Sequence, residues 1–308
     1  MTTIAVAEVV GERYPDWAVE SVEYLGEGDV CVAYVVDHRW VFRFARDAAA
    51  IAALRRESCF LSHVADRFDL RVPVPHDVRL DASPAFVAHR LLPGPALTTE
   101  RYQALEEPDR EHCARQLARF AGQVHEIELQ TARSCGLEVI DPRAYLARVL
   151  ADAQAHLFKE LAPRDQAFVE SQASAYLACI DASEDGPAVL HGDLSPDHVL
   201  FDPASRSVSA LIDFSDVVIG DPAWDVVYLY EDYGPDFVRR FFGAHDAPPP
   251  RLFLERVHRL AALEAVQWAL RCARGRSPEF TDAVTELTRM RIDGERRLEE
   301  LLSACAGP

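Results

Sequence analysis

The residues able to do chemistry crowd into one short stretch of this 308-residue chain. Val189-Leu190-His191-Gly192-Asp193-Leu194-Ser195-Pro196-Asp197-His198-Val199-Leu200-Phe201 sets polar groups between two apolar, strand-like pieces. Fifteen residues after His198 stands Asp213, within Leu211-Ile212-Asp213-Phe214-Ser215-Asp216. An acid-rich loop, then an acid at the end of another short strand, meets the needs of phosphoryl transfer. One carboxylate orients a hydroxyl and accepts its proton, while a second holds the magnesium that neutralises a triphosphate. Two acidic surface turns on a hairpin would read the same way, and either turn alone favours that plainer account.

The elements that must position these groups change character along the chain. Residues 2–13 have helical spacing, with Ile4, Val6, Val9 and Val10 able to share a face. Short strands follow at 19–25, 31–36 and 40–44, the last two forming a hairpin around Asp37-His38-Arg39. A helix is expected at 47–66 and two extended runs at 74–80 and 86–92. Pro93-Gly94-Pro95 is the candidate hinge, because prolines flanking a glycine stop both helix and strand. Beyond it the spacing is helical at 113–130, 142–160, 165–181, 235–242, 251–273 and 279–304, broken by a strand-rich insert at 187–218. In the first of these, Leu117, Phe120, Ala121, Val124 and Ile127 recur at intervals of three and four as a buried stripe. The expected class is α+β, with a small β-rich lobe over 1–93 and a larger helical lobe over 94–308.

Composition narrows the partners. The net charge of −18 argues against nucleic acid, whose phosphates call for Lys and Arg. Residues 1–95 carry net −4 and the remainder net −14, so an acidic second half would attract cationic ligands or simply solvate the surface. No apolar run approaches the roughly 18–20 residues of a membrane span, and the start of the chain lacks the pattern of a signal peptide. Lys159 is the only lysine. The seven cysteines are scattered and form no Cys-x-x-Cys pair, so reduced thiols in a cytoplasmic protein are expected, without a zinc site or a disulfide framework.

The catalytic stretch resembles the protein-kinase-like fold, whose signature is His-x-Asp with Asn five residues later, then Asp-Phe-Gly. His191 and Asp193 match, His198 takes the place of Asn, and Ser215 that of Gly. The longer string His-Gly-Asp-Leu-Ser-Pro-Asp-His, with Ile-Asp-Phe-Ser-Asp and Gly-Asp-Pro-Ala-Trp-Asp over 212–225, resembles the antibiotic phosphotransferases. The aminoglycoside 2''-phosphotransferases are the nearest pattern and the macrolide phosphotransferases come second. The resemblance covers nearly the whole chain and implies a bilobal kinase fold.

It also implies roles. Asp193 is the expected catalytic base or orienter, and His198 and Asp213 the magnesium ligands. Gly26 and Gly28 would let backbone amides approach the phosphates of ATP or GTP. Arg43 stands where the family has a phosphate-contacting Lys, with Glu57 as its partner on the next helix, and the main chain from Ala88 to Arg90 would meet the base. His191 and His125 read as structural, and Asp221 and Asp225 as cap or loop anchors. Asp197, Glu231, Asp232, Glu264 and Trp268 would line an acceptor site for a cationic antibiotic, the two acids at 231 and 232 following a helix that ends at Tyr230. The expected protein is a monomer that binds neither membrane nor nucleic acid. A macrolide phosphotransferase, a metabolic small-molecule kinase and a nucleotide-binding module without activity are the competing readings.

Overall fold

Alternating side chains set the architecture of the N-terminal third. The structure, a computed structural model, describes residues 2–243, 249–275 and 277–306. Five antiparallel strands, β1 (Val22–Glu27), β2 (Cys31–Val36), β3 (Trp40–Ala45), β4 (Pro75–Arg79) and β5 (Phe86–Arg90), form one sheet in the order β1-β2-β3-β5-β4. Successive residues of a strand point to opposite faces. Phe42, Phe44, Phe86 and Ala88 therefore pack with Val6 and Val10 of helix α1 (Thr3–Arg13) on one face. Leu54 of helix α2 (Ala48–Val64) packs with Val87 and Leu80 on the other. Asp47 starts α2 by accepting a hydrogen bond from the Ala50 amide, a normal N-cap.

The chain divides into two compact units. One gathers residues 1–97, 127–137 and 197–217, and the other 98–126, 138–196 and 218–308. In the first, hairpin strands β7 (Val199–Asp202) and β8 (Ser207–Leu211) pair antiparallel. The Pro93-Gly94-Pro95 segment is fixed to that hairpin. Phe201 donates its amide to the Pro95 carbonyl, Leu97 to that of Val199, and the Ser209 hydroxyl to that of Pro93. Gly94 has φ of 111°, and a Cβ there would come within 2.3 Å of the Phe201 carbonyl oxygen, so only glycine fits.

The second unit is helical. It contains α3 (Thr99–Gln103), α4 (Glu107–His125), α6 (Pro142–His156), α7 (Pro163–Ala182), α8 (Trp224–Tyr233), α9 (Pro235–Phe242), α10 (Arg251–Gly275) and α11 (Phe280–Cys305). The short strands β6 (Ala188–Leu190) and β9 (Val218–Gly220) pair antiparallel in it. Helix α4 starts earlier than its apolar stripe suggests, because Pro108 suits the first turn and Glu107 and Asp109 favour the positive helix end. It also stops earlier. Ile127 lies past its end, and residues 129–134 form a separate helix, α5 (Leu129–Ser134), in the first unit.

Two expectations are corrected. Cys59 and Cys135 are joined as a disulfide across a Cα separation of 5.4 Å, bringing together thiols 76 residues apart that the sequence reading took as reduced. The other five cysteines are free and buried. Helix α8 runs on to Tyr233, so Glu231 and Asp232 lie within it instead of following it.

Candidate functional site

The first unit holds a cavity of about 360 Å³ against its sheet. Its walls are largely apolar, with Leu25, Ala33, Val41, Leu200 and Ile212, and Gly26, Gly28, Arg43, His89, His198 and Asp213 also line it. A β-bulge interrupts β1 between Tyr24 and Gly26, and the Gly28 amide closes the turn by donating to the Cys31 carbonyl at 3.0 Å. A Cβ on either glycine would meet nothing within 4 Å. Both glycines line the cavity, so their backbone is accessible to a ligand there.

Arg43 alternates with Phe42 and Phe44, so it faces the cavity while they fill the core. It is buried, and its guanidinium meets three acceptors. Nη1 donates to Glu57 Oε1 at 2.5 Å, Nη2 to Asp213 Oδ1 at 3.0 Å, and Nε to Cys31 Sγ at 3.4 Å. One cation thus serves two carboxyl groups, and burial pushes the Glu57 carboxyl up while Arg43 opposes that shift. Burial alone would weaken the guanidinium's hold on its proton, but Glu57 and Asp213 strengthen it. Burial would likewise raise the Asp213 carboxyl, but Arg43 and then His198 outweigh it and hold that carboxyl below its usual range.

The β7–β8 hairpin brings His198 and Asp213 together. Ile212 donates its amide to the His198 carbonyl at 3.0 Å, which sets His198 Nε2 3.8 Å from Asp213 Oδ2. Asp213 has φ of 61°, a left-handed conformation that Asp tolerates better than most residues. The next residue, Phe214, is buried against Phe60 of α2 and Phe68. A carboxylate and an imidazole, both half-exposed to the same cavity, form a donor set suited to a divalent cation.

The second unit holds the other half of the catalytic stretch. Gly192 adopts φ of 86° between His191 and Asp193. The fully buried Asp225 carboxylate accepts from the amides of His191 at 3.0 Å and Gly192 at 2.9 Å, and lies 2.9 Å from His125 Nε2. Burial alone would raise Asp225, but the His125 hydrogen bond leads the interactions that hold it low. The Asp193 amide reaches His191 Nδ1 at 3.4 Å, and Leu194 is buried. The loop is therefore pinned on both sides of Asp193.

Glu264, on α10, accepts from the Tyr228 hydroxyl of α8 at 2.9 Å. Burial pushes the Glu264 carboxyl up. The Tyr228 hydroxyl and Arg271 oppose that shift, whereas Asp193 adds to it. Asp193 also raises the Tyr228 hydroxyl, after burial and Glu264. Asp193, Tyr228 and Glu264 thus share one electrostatic neighbourhood. Trp268, one turn from Glu264, is half-buried.

The remaining expected residues lie elsewhere in the two units. Glu231 pairs with Arg297 at 2.7 Å, which occupies a carboxylate expected to meet an acceptor, and Asp232 is exposed on α8. Asp197 is exposed in the first unit, on the short helical turn before β7. Ala88 lies in the core, between β3 at Phe42 and β4 at Asp77. Arg90 stacks its guanidinium on Trp40 at 3.9 Å. The side chains of this segment that reach the cavity are His89, Leu91 and Leu92.

Asp225 is the loop anchor that the sequence suggests, whereas Cys31 and His89, which line the cavity, and Tyr228, which bonds Glu264, are not singled out by the sequence. For Cys31 and His89 a signal existed, since each occupies the strand face opposite the aromatic core. Burial brings His89 down to about 4, so it is neutral at pH 7.

Comparison with known proteins shows the family and the fold. A model of the phosphotransferase enzyme family matches residues 30–254. The uncharacterized protein YcbJ of Bacillus subtilis is 25% identical over 240 residues, which are 73% of this chain and 74% of that protein. An aminoglycoside 3'-phosphotransferase of Streptomyces fradiae is 26% identical over 212 residues, 62% of this chain and 76% of the relative. The solved structure of APH(2'')-IIIa with GDP and kanamycin superposes with a TM-score of 0.86 at 25% identity, covering 95% of this chain and 99% of that one.

Proposed function

Because this chain belongs to the phosphotransferase enzyme family, we propose that it transfers the γ-phosphoryl group of ATP or GTP to a hydroxyl of an aminoglycoside, and that it thereby confers resistance. The observation that carries the acceptor is the Glu264 carboxyl of α10, held by the Tyr228 hydroxyl at 2.9 Å in the same unit as Asp193. A polyamine sugar is a polycation at neutral pH, and fixed carboxylates both attract and orient it. Kanamycin is bound by the structural relative APH(2'')-IIIa, and aminoglycosides name the Streptomyces fradiae enzyme.

In this reading the first unit holds the donor. The apolar walls take the base, Gly26 and Gly28 present backbone to the phosphates, and Arg43, held by Glu57, adds positive charge. His198 and Asp213 would hold Mg²⁺, which neutralises phosphate charge when bound. Asp193 orients the acceptor hydroxyl and takes its proton. Phosphoryl transfer through a loose transition state asks chiefly for positioning, so a carboxylate of ordinary acidity suffices. The anchorage of its loop on Asp225 supplies that positioning. Glu264 and Trp268 engage the amino sugar.

The test is nucleoside diphosphate release by the purified protein with Mg-ATP and Mg-GTP, offering aminoglycosides and macrolides in parallel. Aminoglycoside-dependent release is the expected result. Release only with macrolides keeps the donor half and overturns the acceptor. Nucleotide binding without release in either case overturns the antibiotic assignment and leaves another small alcohol or a silent site.

A further inference from the structure

The first unit carries a second cluster of metal-ligating side chains that the donor cavity does not use. Cys59 and His63 lie four residues apart on α2, hence on one face of the helix. Cys135 is the residue that ends α5. Its backbone is fixed by a closing turn. The Leu137 amide donates to the Ala132 carbonyl and the Gly136 amide to that of Arg133, with Gly136 at φ of 78°. His63 Nδ1 lies 3.9 Å from Cys59 Sγ and 3.7 Å from Cys135 Sγ. The three potential ligand atoms all lie within 4.8 Å of one another. Cys135 is buried, Cys59 half-buried and His63 exposed, so the cluster opens to solvent on one side.

These separations suit a tetrahedral ion. Bonds of about 2.3 Å to sulfur and 2.0 Å to nitrogen set ligand atoms roughly 3.5–3.8 Å apart around zinc. The two sulfur-to-nitrogen distances are already close to that range, and only the two sulfurs must separate. We propose that the dithiol form of the Cys59–Cys135 pair, together with His63, is a binding site for a soft divalent metal ion of the Zn²⁺ class. Thiolate and imidazole donors select such an ion over Mg²⁺, so this site would not compete for the cation of the donor cavity.

The chemistry balances with a low-molecular-weight thiol as reductant. Two equivalents break the Cys59–Cys135 bond and pair into their own disulfide, and their two protons pass to the two protein sulfurs. The metal then displaces both thiol protons to buffer, giving two thiolates and a neutral imidazole as ligands, with water in the fourth position. In the disulfide form His63 Nδ1 meets the Cys59 carbonyl at 2.7 Å. Metal binding exchanges that contact for the coordinate bond and moves the imidazole proton to Nε2, on an exposed ring. Disulfide and metal are alternative occupants of the same three residues, and either one ties α5 to α2 two residues from Glu57.

The experiment uses the full chain, reduced under nitrogen and freed of reductant, with mapping of the thiols at 59 and 135 by mass spectrometry. Zn²⁺ is titrated against a chromophoric chelator, and Co²⁺ is added as an optical probe. One equivalent of Zn²⁺ should bind, and Co²⁺ should give thiolate charge-transfer bands with the strong visible bands of a tetrahedral site. Oxidation with a small disulfide should abolish both. Cys59→Ser and Cys135→Ser should weaken binding at least about 100-fold, and His63→Ala, at an exposed position that leaves folding intact, by about 10–100-fold. Circular dichroism checks that each variant is folded. Reduced, folded protein that takes up no Zn²⁺ overturns the proposal. So does uptake that His63→Ala leaves unchanged, or a pair that stays oxidised in the folded chain under excess thiol.

Discussion

Two buried carboxylate clusters, one in each compact unit, use opposite means. In the first unit Arg43 is shared between Glu57 and Asp213. Two acids face one base, and Asp213 remains half-exposed at the cavity. In the second unit Asp225 is wholly buried, and its oxygens are taken by two backbone amides and His125. Its charge is spent inside the protein. An acid left half-exposed at a cavity is placed to bind a cation, whereas an acid surrounded by amide donors is placed to hold a loop. Removing either should therefore damage the protein in different ways.

The largest effect is expected at the residue whose loop Asp225 holds. Asp193→Asn should lower kcat by about 10³-fold while leaving nucleotide affinity within about twofold, measured by coupled assay and calorimetry. Equal loss of nucleotide binding would show that Asp193 belongs to the donor half.

The direct contrast comes next. Asp225→Ala leaves one buried and one half-buried amide without their acceptor and should cost about 3 kcal/mol in urea unfolding. Asp213→Ala should change the stability of the nucleotide-free protein by no more than about 1 kcal/mol, yet abolish the thermal shift on adding Mg-nucleotide. The comparison fails if both variants behave alike.

A smaller effect tests the guanidinium. Arg43→Lys keeps the cation but loses the fork that reaches Glu57, Asp213 and Cys31 together, and nucleotide affinity should fall about tenfold. In the second unit, Glu264→Gln should raise KM for a polycationic acceptor about fivefold with kcat little changed. An unchanged KM would remove Glu264 from the acceptor site.

The smallest concerns pH. The folded Asp225 carboxyl sits below its unfolded value of about 3.9. Its contribution to stability is thus fully present above that value and is lost as pH falls through the folded one. The stability gap between the parent chain and Asp225→Asn should be constant above about pH 5 and narrow toward pH 3, followed by urea midpoints. A gap that widens on acidification would mean that the carboxyl is not held low.

Much of this is legible in the sequence. The alternation in β3 and the string around His191 announce a sheet, a loop and two acids, because periodicity and local spacing are properties of adjacent residues. Asp193, His198 and Asp213 lie within that short range. What escaped depends on distant partners. Glu231 reads as a free acid until Arg297 is found beside it. Cys59 and Cys135 read as scattered thiols until α5 folds back against α2. Ala88 and His89 differ by one position, and only the sheet register decides which of them faces the cavity.

That register has a further consequence for the order in which the protein is made. The cavity's floor, Leu200 and Ile212, is joined to the N-terminal third by the Leu97–Val199, Phe201–Pro95 and Leu211–Arg71 hydrogen bonds. The hairpin that carries it is separated from the sheet by about a hundred residues, most of which fold into the other unit. As the chain leaves the ribosome, the five-stranded sheet is complete long before its last structural piece has been synthesised. The donor half must wait, with an apolar wall exposed, until Val217 has emerged and a long loop has closed at its entropic cost. The half that begins the chain is thus completed only when residue 217 has been made, after most of the residues that separate its two parts have already entered the other unit.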